Sequence, residues 1–334
     1  MVERRLCTLK VLLYKVLCGL FARGDWPRLK GRASRPVALV ARDESPLNQL
    51  IALVANFERN GNRKRFADKI EAKSVVGRAG IDLMPRTIAE SDEMIRDWTK
   101  LGDSRLVVKA SHGSGAVILV GMNFEKRSSL ANFEAVWPVS LAFGGAPVIG
   151  SVAYELASLA QKQWLRYSYN IDGRFEWAYG DLKKRLVVEE FVQGSGADQL
   201  PDDLKIWCLG GDPFLMVVDS GRFGEHARSI FDIKGNRLDA SIKYPVGNET
   251  LPEERLVEQS LQIAKTLASG TTFLRVDFLV CEERVVVGEL TNYPGGAGNT
   301  VRGLEGFDSR VNDVMSAIKD TAKLGKIGRL TRGD

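Results

Sequence analysis

One short stretch of this chain, residues 106–120, constrains its fold more than any other. It contains two runs rich in β-branched residues, a Gly-Ser-Gly turn between them, and Lys109 near the end of the first run. This pattern predicts a β-hairpin. An ammonium on a buried strand costs several kcal/mol to desolvate unless an anion compensates it. Lys109 therefore requires a negative partner, and a nucleotide phosphate is the leading candidate.

The order of elements differs from that of the common phosphate-binding loops. Walker and dinucleotide motifs run from a strand through glycines into a helix. Here Lys109 precedes the glycines, and a second strand, 116–120, follows them. The hairpin would cover the phosphates as a lid, with the backbone N–H groups of Gly113, Ser114 and Gly115 facing the anion. A surface hairpin without a ligand would show the same pattern.

Composition excludes several classes of protein. With 334 residues, the chain can bury at least one full core and form two or three lobes. Its four cysteines show no Cys-x-x-Cys spacing, and it has only two histidines. These counts argue against a zinc site and a disulfide framework, and they fit a reducing, cytoplasmic setting.

The positive charge is concentrated at the N-terminus. The net charge is +5, but residues 1–35 alone carry a balance of +7, which leaves −2 for the rest. A nearly neutral body argues against a nucleic-acid partner. Lys10 and Lys15 interrupt the apolar residues of this segment too early for a membrane span or a signal peptide.

The same segment carries apolar residues at helical spacing, namely Leu6, Leu9, Leu13, Val16 and Leu20. One interpretation is an interfacial helix within residues 1–24, peripheral to the inner face of the membrane or on a membrane-bound partner. The equal alternative is an amphipathic helix that packs on the protein's own body.

Patterns elsewhere predict helices and strands without a regular alternation. The predicted helices are 45–59 with Pro46 at its first position, a basic stretch 63–78 closed by Gly80, 89–101, most of 121–185, 252–269 and 310–322. The predicted strands are 36–41, the two of the lysine hairpin, 185–192, 204–209, 213–220, 273–280 and 285–290. This mixture indicates an α+β fold.

Two acidic residues are predicted to face each other on the last hairpin. If Cys281 pairs with Val285 across the turn, Asp277 falls opposite Glu289, with Cβ atoms about 5 Å apart. Carboxylates this close repel each other unless a cation lies between them. The cation is either Mg²⁺, which also favours phosphate oxygens, or a protein side chain.

Arg275 lies on the same face of its strand as Asp277 and could supply that positive charge itself, as a solvated salt bridge with either acid. For a bound Mg²⁺, Thr291 or Asn292 could add a neutral oxygen ligand. Two further strands carry candidate residues: Glu189 or Glu190, at the charged end of 185–192, could face an adenine or a ribose. Lys205 adds a cation to an apolar strand. Ordinary strand-edge charges would explain each of these equally well.

Taken in order, these elements resemble the ATP-grasp superfamily. The motifs that carry the resemblance are Asp68-Lys69 with Lys73, residues 79–85, the lysine strand and glycine lid 107–115, the hinge 187–192, Arg275-Val-Asp277, and Gly288-Glu-Leu-Thr-Asn292. The Ser-His-Gly-Ser-Gly form of the lid, residues 175–179 and residues 203–210 look closer to the TupA-like group. That group is associated with teichuronopeptide and other cell-surface polysaccharide synthesis. The resemblance covers about residues 64–306.

The resemblance implies an α+β ATP-grasp fold in which two lobes clasp ATP, behind a short N-terminal helical region. The implied parts are 1–62 (the basic helix and a truncated N-terminal region), 63–186 (the first lobe) and 187–334 (the second lobe). It implies nucleotide contacts by Lys69, Lys109, His112, Gly113, Ser114, Gly115, Glu189, Glu190, Phe191 and Val192. It implies Mg²⁺ ligation by Asp277, Glu289 and Asn292, and catalytic roles for Lys109, Arg275 and Lys205. The usual Glu-x-Asn motif has Thr291 at its third position here, with Asn292 one residue later.

The implied reaction is ADP-forming ligation. A carboxylate attacks the γ-phosphate of MgATP, and an amine then displaces phosphate from the acyl phosphate. The implied acceptor pair is saccharide-linked, in cell-surface polysaccharide synthesis. Two alternatives remain open: a kinase on the same scaffold, and a non-catalytic nucleotide-binding protein at a membrane synthesis complex. Arg222 and Arg228 are hypothesised to bind an anionic acceptor, the alternative being solvent-exposed arginines.

Overall fold

The computed structural model of the chain describes Ala41 and residues 45–96, 106–113, 117–120, 161–162, 164–166, 176–194, 201–220 and 226–330. The predictions for residues 1–40, for most of 121–185, and for Ser114, Gly115 and Arg222 lie outside the described residues.

Five α-helices have their bounds within this part of the chain: α1 Pro46–Phe57, α2 Gly61–Ala67, α3 Lys69–Arg78, α4 Glu254–Ala268 and α5 Asp308–Leu330. Residues 161–162 and 164–166 are also helical. Helix α1 begins at Pro46 as predicted, because the fixed φ of proline suits the first turn, where no N–H is needed. The helices predicted at 252–269 and 310–322 are also confirmed, although α5 extends further in both directions.

The basic stretch 63–78 forms two helices, whereas the sequence predicted one. Asp68 adopts an extended conformation (φ −87°, ψ 115°) between α2 and α3. Its carboxylate accepts hydrogen bonds from the backbone N–H groups of Ile70 and Glu71, at 2.9 and 3.4 Å. This N-cap stabilises the start of a new helix. Lys69 thereby occupies the first position of α3.

A four-stranded antiparallel sheet contains the lysine hairpin. Its strands are β1 Thr87–Ser91, β2 Leu106–Ala110, β3 Val117–Val120 and β4 Leu186–Glu190, in the order β1-β4-β2-β3. The hairpin of β2 and β3 is confirmed. The helix predicted at 89–101 is wrong over its first residues, because Ala89 to Ser91 pair with β4. Tertiary pairing overrides the local pattern there. The lobe boundary expected at residue 187 falls within β4.

A six-stranded antiparallel sheet forms the larger layer. Its strands are β5 Asp202–Leu209, β6 Asp212–Ser220, β7 Ala227–Asp232, β8 Arg237–Leu238, β10 Phe273–Val280 and β11 Val285–Thr291, in the order β11-β10-β5-β6-β7-β8. The strands β9 Ser241–Ile242 and β12 Val301–Arg302 form a separate ribbon. The predicted strands 204–209, 213–220, 273–280 and 285–290 are therefore confirmed.

The two faces of the six-stranded sheet differ in what covers them. On one face, Leu204, Ile206 and Leu274 pack against the apolar side of α4. On the other face, Trp207 and Phe273 belong to a second core that includes α1. Further along this second face, the alternate positions of adjacent strands carry charges instead of apolar side chains. These charged positions form the candidate site.

A β-bulge at Gly288 sets the orientation of the last hairpin. Asp277 pairs with Glu289 as predicted, but Val280, not Cys281, pairs with Val285. The register shifts between Asp277 and Phe278, and Gly288 is the additional residue. Val285 and Val287 face the α4 core, and without the bulge Glu289 would face it as well. The bulge therefore places an acidic side chain on the polar face of a strand that begins in the core.

No helix among the described residues combines the length and the apolarity needed to cross a membrane.

Gly303, between β12 and α5, is expected to tolerate no side chain. Its φ is 72°, and an added Cβ would overlap the carbonyl oxygen of Asp239 and lie 2.9 Å from the Cα of Ala240. We expect Gly303→Ala to lower the free energy of unfolding by about 2–4 kcal/mol, through backbone strain and overpacking together. Urea denaturation measures the change.

Gly77 in α3 is the matched control, because no atom lies within 4 Å of an added Cβ there. Gly77→Ala should raise the free energy of unfolding by about 0.5–1 kcal/mol, since alanine favours the helix. Equal stability of the two variants would contradict the close approach at Gly303.

Candidate active site

Side chains from both sheets and from α3 meet at the polar end of the six-stranded sheet. Helix α3 contributes Lys69 and Lys73, and the four-stranded sheet contributes Lys109 and Glu189. The hairpin of β10 and β11 contributes Arg275, Asp277 and Glu289. The predicted basic and acidic residues therefore face one shared space.

Lys69 connects the base of the lid to the acidic hairpin. Its backbone N–H donates to the carbonyl oxygen of Ser111 at 2.9 Å, and its ammonium donates to the carbonyl oxygen of Gly113. The same ammonium lies 3.5 Å from Oε1 of Glu289. Burial alone would raise the pKa of Glu289, but Lys69 and Arg275 hold it below its ordinary value. Glu289 is therefore ionised and directed toward the lysine.

Glu189 is held between two lysines. In β2 and β4, alternate residues such as Val108 and Val188 face a small apolar core, so Lys109 and Glu189 face the opposite side. Oε2 of Glu189 lies 2.6 Å from the ammonium of Lys109, and Oε1 lies 2.8 Å from that of Lys73. Burial opposes ionisation of this carboxyl, but the two ammonium groups outweigh it and lower the pKa of Glu189. The carboxylate of Glu189 thus neutralises charge on both lysines.

The remaining hinge and lid residues lie nearby in different environments. Glu190 faces away from Glu189 and forms an exposed ion pair with Arg86 at 3.2 Å. Val192 is buried just after β4, next to Phe191. Nε2 of the buried His112 lies 2.9 Å from the carbonyl oxygen of Trp164, which fixes the residue at the base of the lid. Adenine binding by residues 189–192 stays a prediction.

Arg275 and Asp277 form a bidentate pair. Nε and one terminal nitrogen of Arg275 each lie 2.6 Å from an oxygen of Asp277. The guanidinium also donates to the hydroxyl oxygen of Thr291 at 3.2 Å. Although burial disfavours the charged form, Asp277 raises the pKa of Arg275. The side-chain pair considered as an alternative to Mg²⁺ is therefore present in the structure.

Asp277 and Glu289 also fit a magnesium ion in their chemistry. They are directly opposed across β10 and β11 and supply two hard carboxylate groups. In the part of the chain that the structure describes, no group of three or more His, Cys, Asp or Glu side chains could hold a metal ion. A cation between these two acids would therefore need phosphate oxygens and water to complete its shell.

Asn292 was predicted to ligate Mg²⁺, but in the structure it contacts Arg63. Its amide donates to the backbone oxygen of Arg63 at 2.7 Å, and its Oδ1 accepts from the Arg63 guanidinium at 3.2 Å. Asn292 is buried in this contact with α2. Thr291 shares a hydrogen-bonding partner with Asp277, so it is the better placed neutral oxygen.

Lys205 belongs to a second ion cluster beside the first. It lies opposite Asp277 in the register of β5 and β10, and it contacts Asp203 and, at 3.1 Å, Asp219. Asp219 also accepts from Arg228 at 2.6 and 2.9 Å. Burial would raise the pKa of Asp219, but Arg228 and Lys205 lower it strongly. The result is a continuous row of paired charges from β11 to β7.

Two residues of this row correct or extend the sequence interpretation. Arg228 is 5% exposed, and its guanidinium also donates to the carbonyl oxygen of Ile242 at 3.0 Å. It is therefore neither solvent-exposed nor available to an acceptor as hypothesised. Asp203 and Asp219 were not predicted as site residues. Asp203 could have been found because it lies two residues before Lys205, on the same face of β5. Asp219 could then have been found as the residue of β6 directly opposite Asp203.

Two antiparallel sheets whose lysines and acidic hairpin face one cleft define an ATP-grasp fold. The model of one family, described as TupA-like ATPgrasp, matches residues 48–310. Because this match covers most of the chain, the protein belongs to the TupA-like ATP-grasp family. Comparison with curated protein sequences gives no match.

Several solved structures resemble the chain at low identity. D-alanine–D-alanine ligase from Bacillus anthracis, complexed with ATP, is 18% identical with a TM-score of 0.40, and the match covers 78% of this chain and 68% of that one. The D-alanine–D-alanine ligase from Coxiella burnetii is 17% identical with a TM-score of 0.45, over 89% and 72% of the two chains. VanG D-Ala:D-Ser ligase from Enterococcus faecalis is 17% identical with a TM-score of 0.39, over 75% and 61%.

Proposed function

We propose that this protein is an ADP-forming ligase that activates a carboxylate as an acyl phosphate and joins it to an amine, in the synthesis or modification of a cell-surface polysaccharide. One observation carries the proposal: the ammonium of Lys69, at the base of the lid, lies 3.5 Å from the carboxylate of Glu289 on the acidic hairpin. The groups required by a triphosphate and by its metal ion thus share one space. Family membership supports the same reaction class.

The side chains have distinct roles in this proposal. Lys69 and Lys109 bind phosphate oxygens of ATP, and the lid that includes Gly113 excludes water. Mg²⁺, when held by Asp277 and Glu289 with Thr291 nearby, would neutralise charge on the phosphate oxygens. Arg275 exchanges its contact with Asp277 for the oxygens of the transferring phosphoryl group. Lys205 holds the neighbouring acids in place.

Phosphoryl transfer of this kind requires no covalent nucleophile on the protein. The acceptor carboxylate attacks the γ-phosphorus, ADP leaves, and the amine then attacks the acyl carbon and releases phosphate. The protein contributes positioning and charge neutralisation, which dominate catalysis of phosphoryl transfer. The lysines, Arg275 and the acidic pair of the cleft suffice for those tasks.

Product analysis tests the proposal. The purified chain is incubated with ATP, Mg²⁺ and a panel of amino acids and uronic-acid saccharides, and products are identified by mass spectrometry. An amide together with ADP and free phosphate is the expected result. A stable phosphate ester would instead identify a kinase, and nucleotide binding without ADP release would identify a non-catalytic protein.

The proposed place of action is the cytoplasmic face of the membrane, through the basic residues 1–24. Co-sedimentation with vesicles that contain anionic lipid, before and after deletion of residues 1–24, tests this part. Unchanged binding would contradict the peripheral association and leave the ligase proposal untouched.

A further inference from the structure

A cationic and aromatic patch lies at the β7 end of the charged row. The ring of His226 stacks on that of Tyr244, with ring centroids 3.6 Å apart and an angle of 16° between the planes. The guanidinium carbon of Arg228 lies 5.0 Å from the centroid of the Tyr244 ring, and the ammonium of Lys243 lies 4.7 Å from it. Three basic side chains thus surround one aromatic ring.

The patch is built into the fold by backbone contacts. The N–H of Arg228 donates to the carbonyl oxygen of Pro245 at 2.9 Å, and the N–H of Gly247 donates to that of Arg228 at 2.8 Å. The segment that follows Tyr244 therefore runs directly alongside β7. A Cβ on Gly247 would lie 3.1 Å from the nitrogen of Arg228, so a larger residue would disturb this approach.

Lys243 is held in a conformation that costs free energy. Its φ is 70°, and the N–H of Tyr244 donates to the carbonyl oxygen of Ile242 at 2.8 Å, which closes a γ-turn around Lys243. This turn is rare and strained for any residue other than glycine. Strained residues of this kind cluster at ligand-binding and switch sites, so the conformation of Lys243 motivates a hypothesis of function.

The charge of Lys243 remains available, whereas that of Arg228 does not. Arg228 is neutralised by Asp219 within the sheet. Lys243 is exposed, and among the described residues no carboxylate lies within ion-pair distance of its ammonium. His226 is partly exposed, but its Nε2 is directed to Asp219, at 3.5 Å from Oδ1, so Lys243 supplies the available charge. The patch therefore presents a net positive charge to the solvent side of the row.

The patch lies well away from the acidic hairpin. Strand β7 is separated from β10 by β5 and β6. Each step between neighbouring strands is about 4.8 Å, and Arg228 lies two residues before Ile230, the residue of β7 in register with Asp277. The patch therefore lies roughly 15 Å from Asp277. A free amino acid cannot reach from the phosphoryl-transfer centre to this distance, but a short oligosaccharide can.

We propose that His226, Lys243 and Tyr244 form a subsite for an anionic group of the acceptor, a carboxylate or a phosphate, and that the acceptor is an extended, saccharide-sized molecule. The proposal rests on the proposed ligase function and names the substrate class of the same site. Lys243 donates a charge-assisted hydrogen bond to the anionic group. His226 supports the ring of Tyr244, over which the lysine lies, and its Nε2 lies 3.5 Å from Oδ1 of Asp219. Anchoring the acceptor there leaves its distant reacting end beside the transferring phosphoryl group.

Isothermal titration calorimetry in the absence of ATP tests the subsite. The probes are trigalacturonate, maltose 1-phosphate, neutral maltotriose and monomeric galacturonate. We expect binding of at least one of the first two and much weaker binding of the last two. The two anionic probes decide between a carboxylate and a phosphate.

Lys243→Gly is the diagnostic substitution, because glycine accepts a φ of 70° without strain. We expect this variant to lose about tenfold in affinity for the anionic probe while its melting temperature stays the same or rises. His226→Gln is a second variant, and its affinity should fall severalfold. Lys265→Ala is the control, since Lys265 forms its ion pair with Asp212 near the opposite end of β6.

The proposal is overturned if Lys243→Gly binds the anionic probe as tightly as the native chain, or if the neutral trisaccharide binds equally well. Failure of all probes to bind would also overturn it. ATP affinity, measured separately by the same method, reports on the nucleotide site. Intact ATP binding without probe binding would therefore reject the subsite while the proposed function stands.

Discussion

Replacement of Asp277 by asparagine is expected to reduce MgATP-dependent ADP release at least about a hundredfold, because it removes one of two opposed carboxylates that would hold the metal ion. The substitution is nearly isosteric, so the hairpin should keep its shape. It also removes the bidentate partner of Arg275, whose nitrogens lie 2.6 Å from the carboxylate oxygens. A coupled assay for ADP measures the loss.

The control for Asp277→Asn is Asp212→Asn. Asp212 begins β6, forms an exposed ion pair with Lys265 at 2.9 Å, and lies far from the acidic hairpin. This variant should retain native turnover. A thermal melt of both variants separates a loss of folding from a loss of chemistry. Native-like ADP release by folded Asp277→Asn protein would remove the acidic pair from the proposed mechanism.

Lys109→Met is expected to weaken ATP binding at least about tenfold and turnover about a hundredfold, since it removes one of the positive charges proposed to bind phosphate. Methionine keeps the apolar part of the side chain and most of its length. The loss also breaks the 2.6 Å ion pair with Glu189, which could disturb the site without any role for Lys109 in binding phosphate.

Lys73→Met separates these two effects. Lys73 forms the other ion pair of Glu189, at 2.8 Å, but it lies on the second turn of α3 and also donates to the carbonyl oxygen of Pro85. If Lys109 acts only by neutralising Glu189, both variants should lose ATP affinity to the same extent. We expect the larger loss for Lys109→Met, and calorimetric titration with ATP compares the two directly.

The strongest predictions from sequence concerned elements whose pattern is local. The lysine hairpin and the last hairpin combine β-branched runs with short polar turns, and both strand pairs form where the pattern placed them. Helix α1 was equally clear from Pro46 at its first position. In each case the sequence pattern and the element it predicts involve the same few neighbouring residues. The prediction therefore required no knowledge of distant contacts.

Features that depend on long-range contacts were either missed or predicted correctly without the structural cause that produces them. The facing of Asp277 and Glu289 was correct, but the bulge at Gly288 that produces it depends on which face of β11 meets α4. Residues 89–91 pair with β4, about a hundred positions later, and nothing in the local pattern shows it.

Among the residues that the structure brings together in the cleft, Lys69, Lys109 and the acidic hairpin could be predicted because their motifs are compact. The partners of those residues could not. The contact of Glu189 with two lysines joins α3, β2 and β4, and the contact of Asn292 with Arg63 joins β11 to α2. Such pairings join residues that are far apart in the sequence. No local pattern in a single sequence therefore predicts them.

The cations of the cleft have acidic partners within the chain: Lys69 has Glu289, Lys73 and Lys109 share Glu189, and Arg275 has Asp277. An anion that enters alone must compete with these carboxylates and leave them uncompensated in a poorly solvated place. Stray sulfate or inorganic phosphate should therefore be retained weakly. Under the proposed function, a nucleotide that arrives with its own divalent ion would avoid this penalty, because the ion would pair with the released acids and the phosphates with the released bases. The pairing of charges within the cleft would then favour the complete metal–nucleotide complex over either component alone.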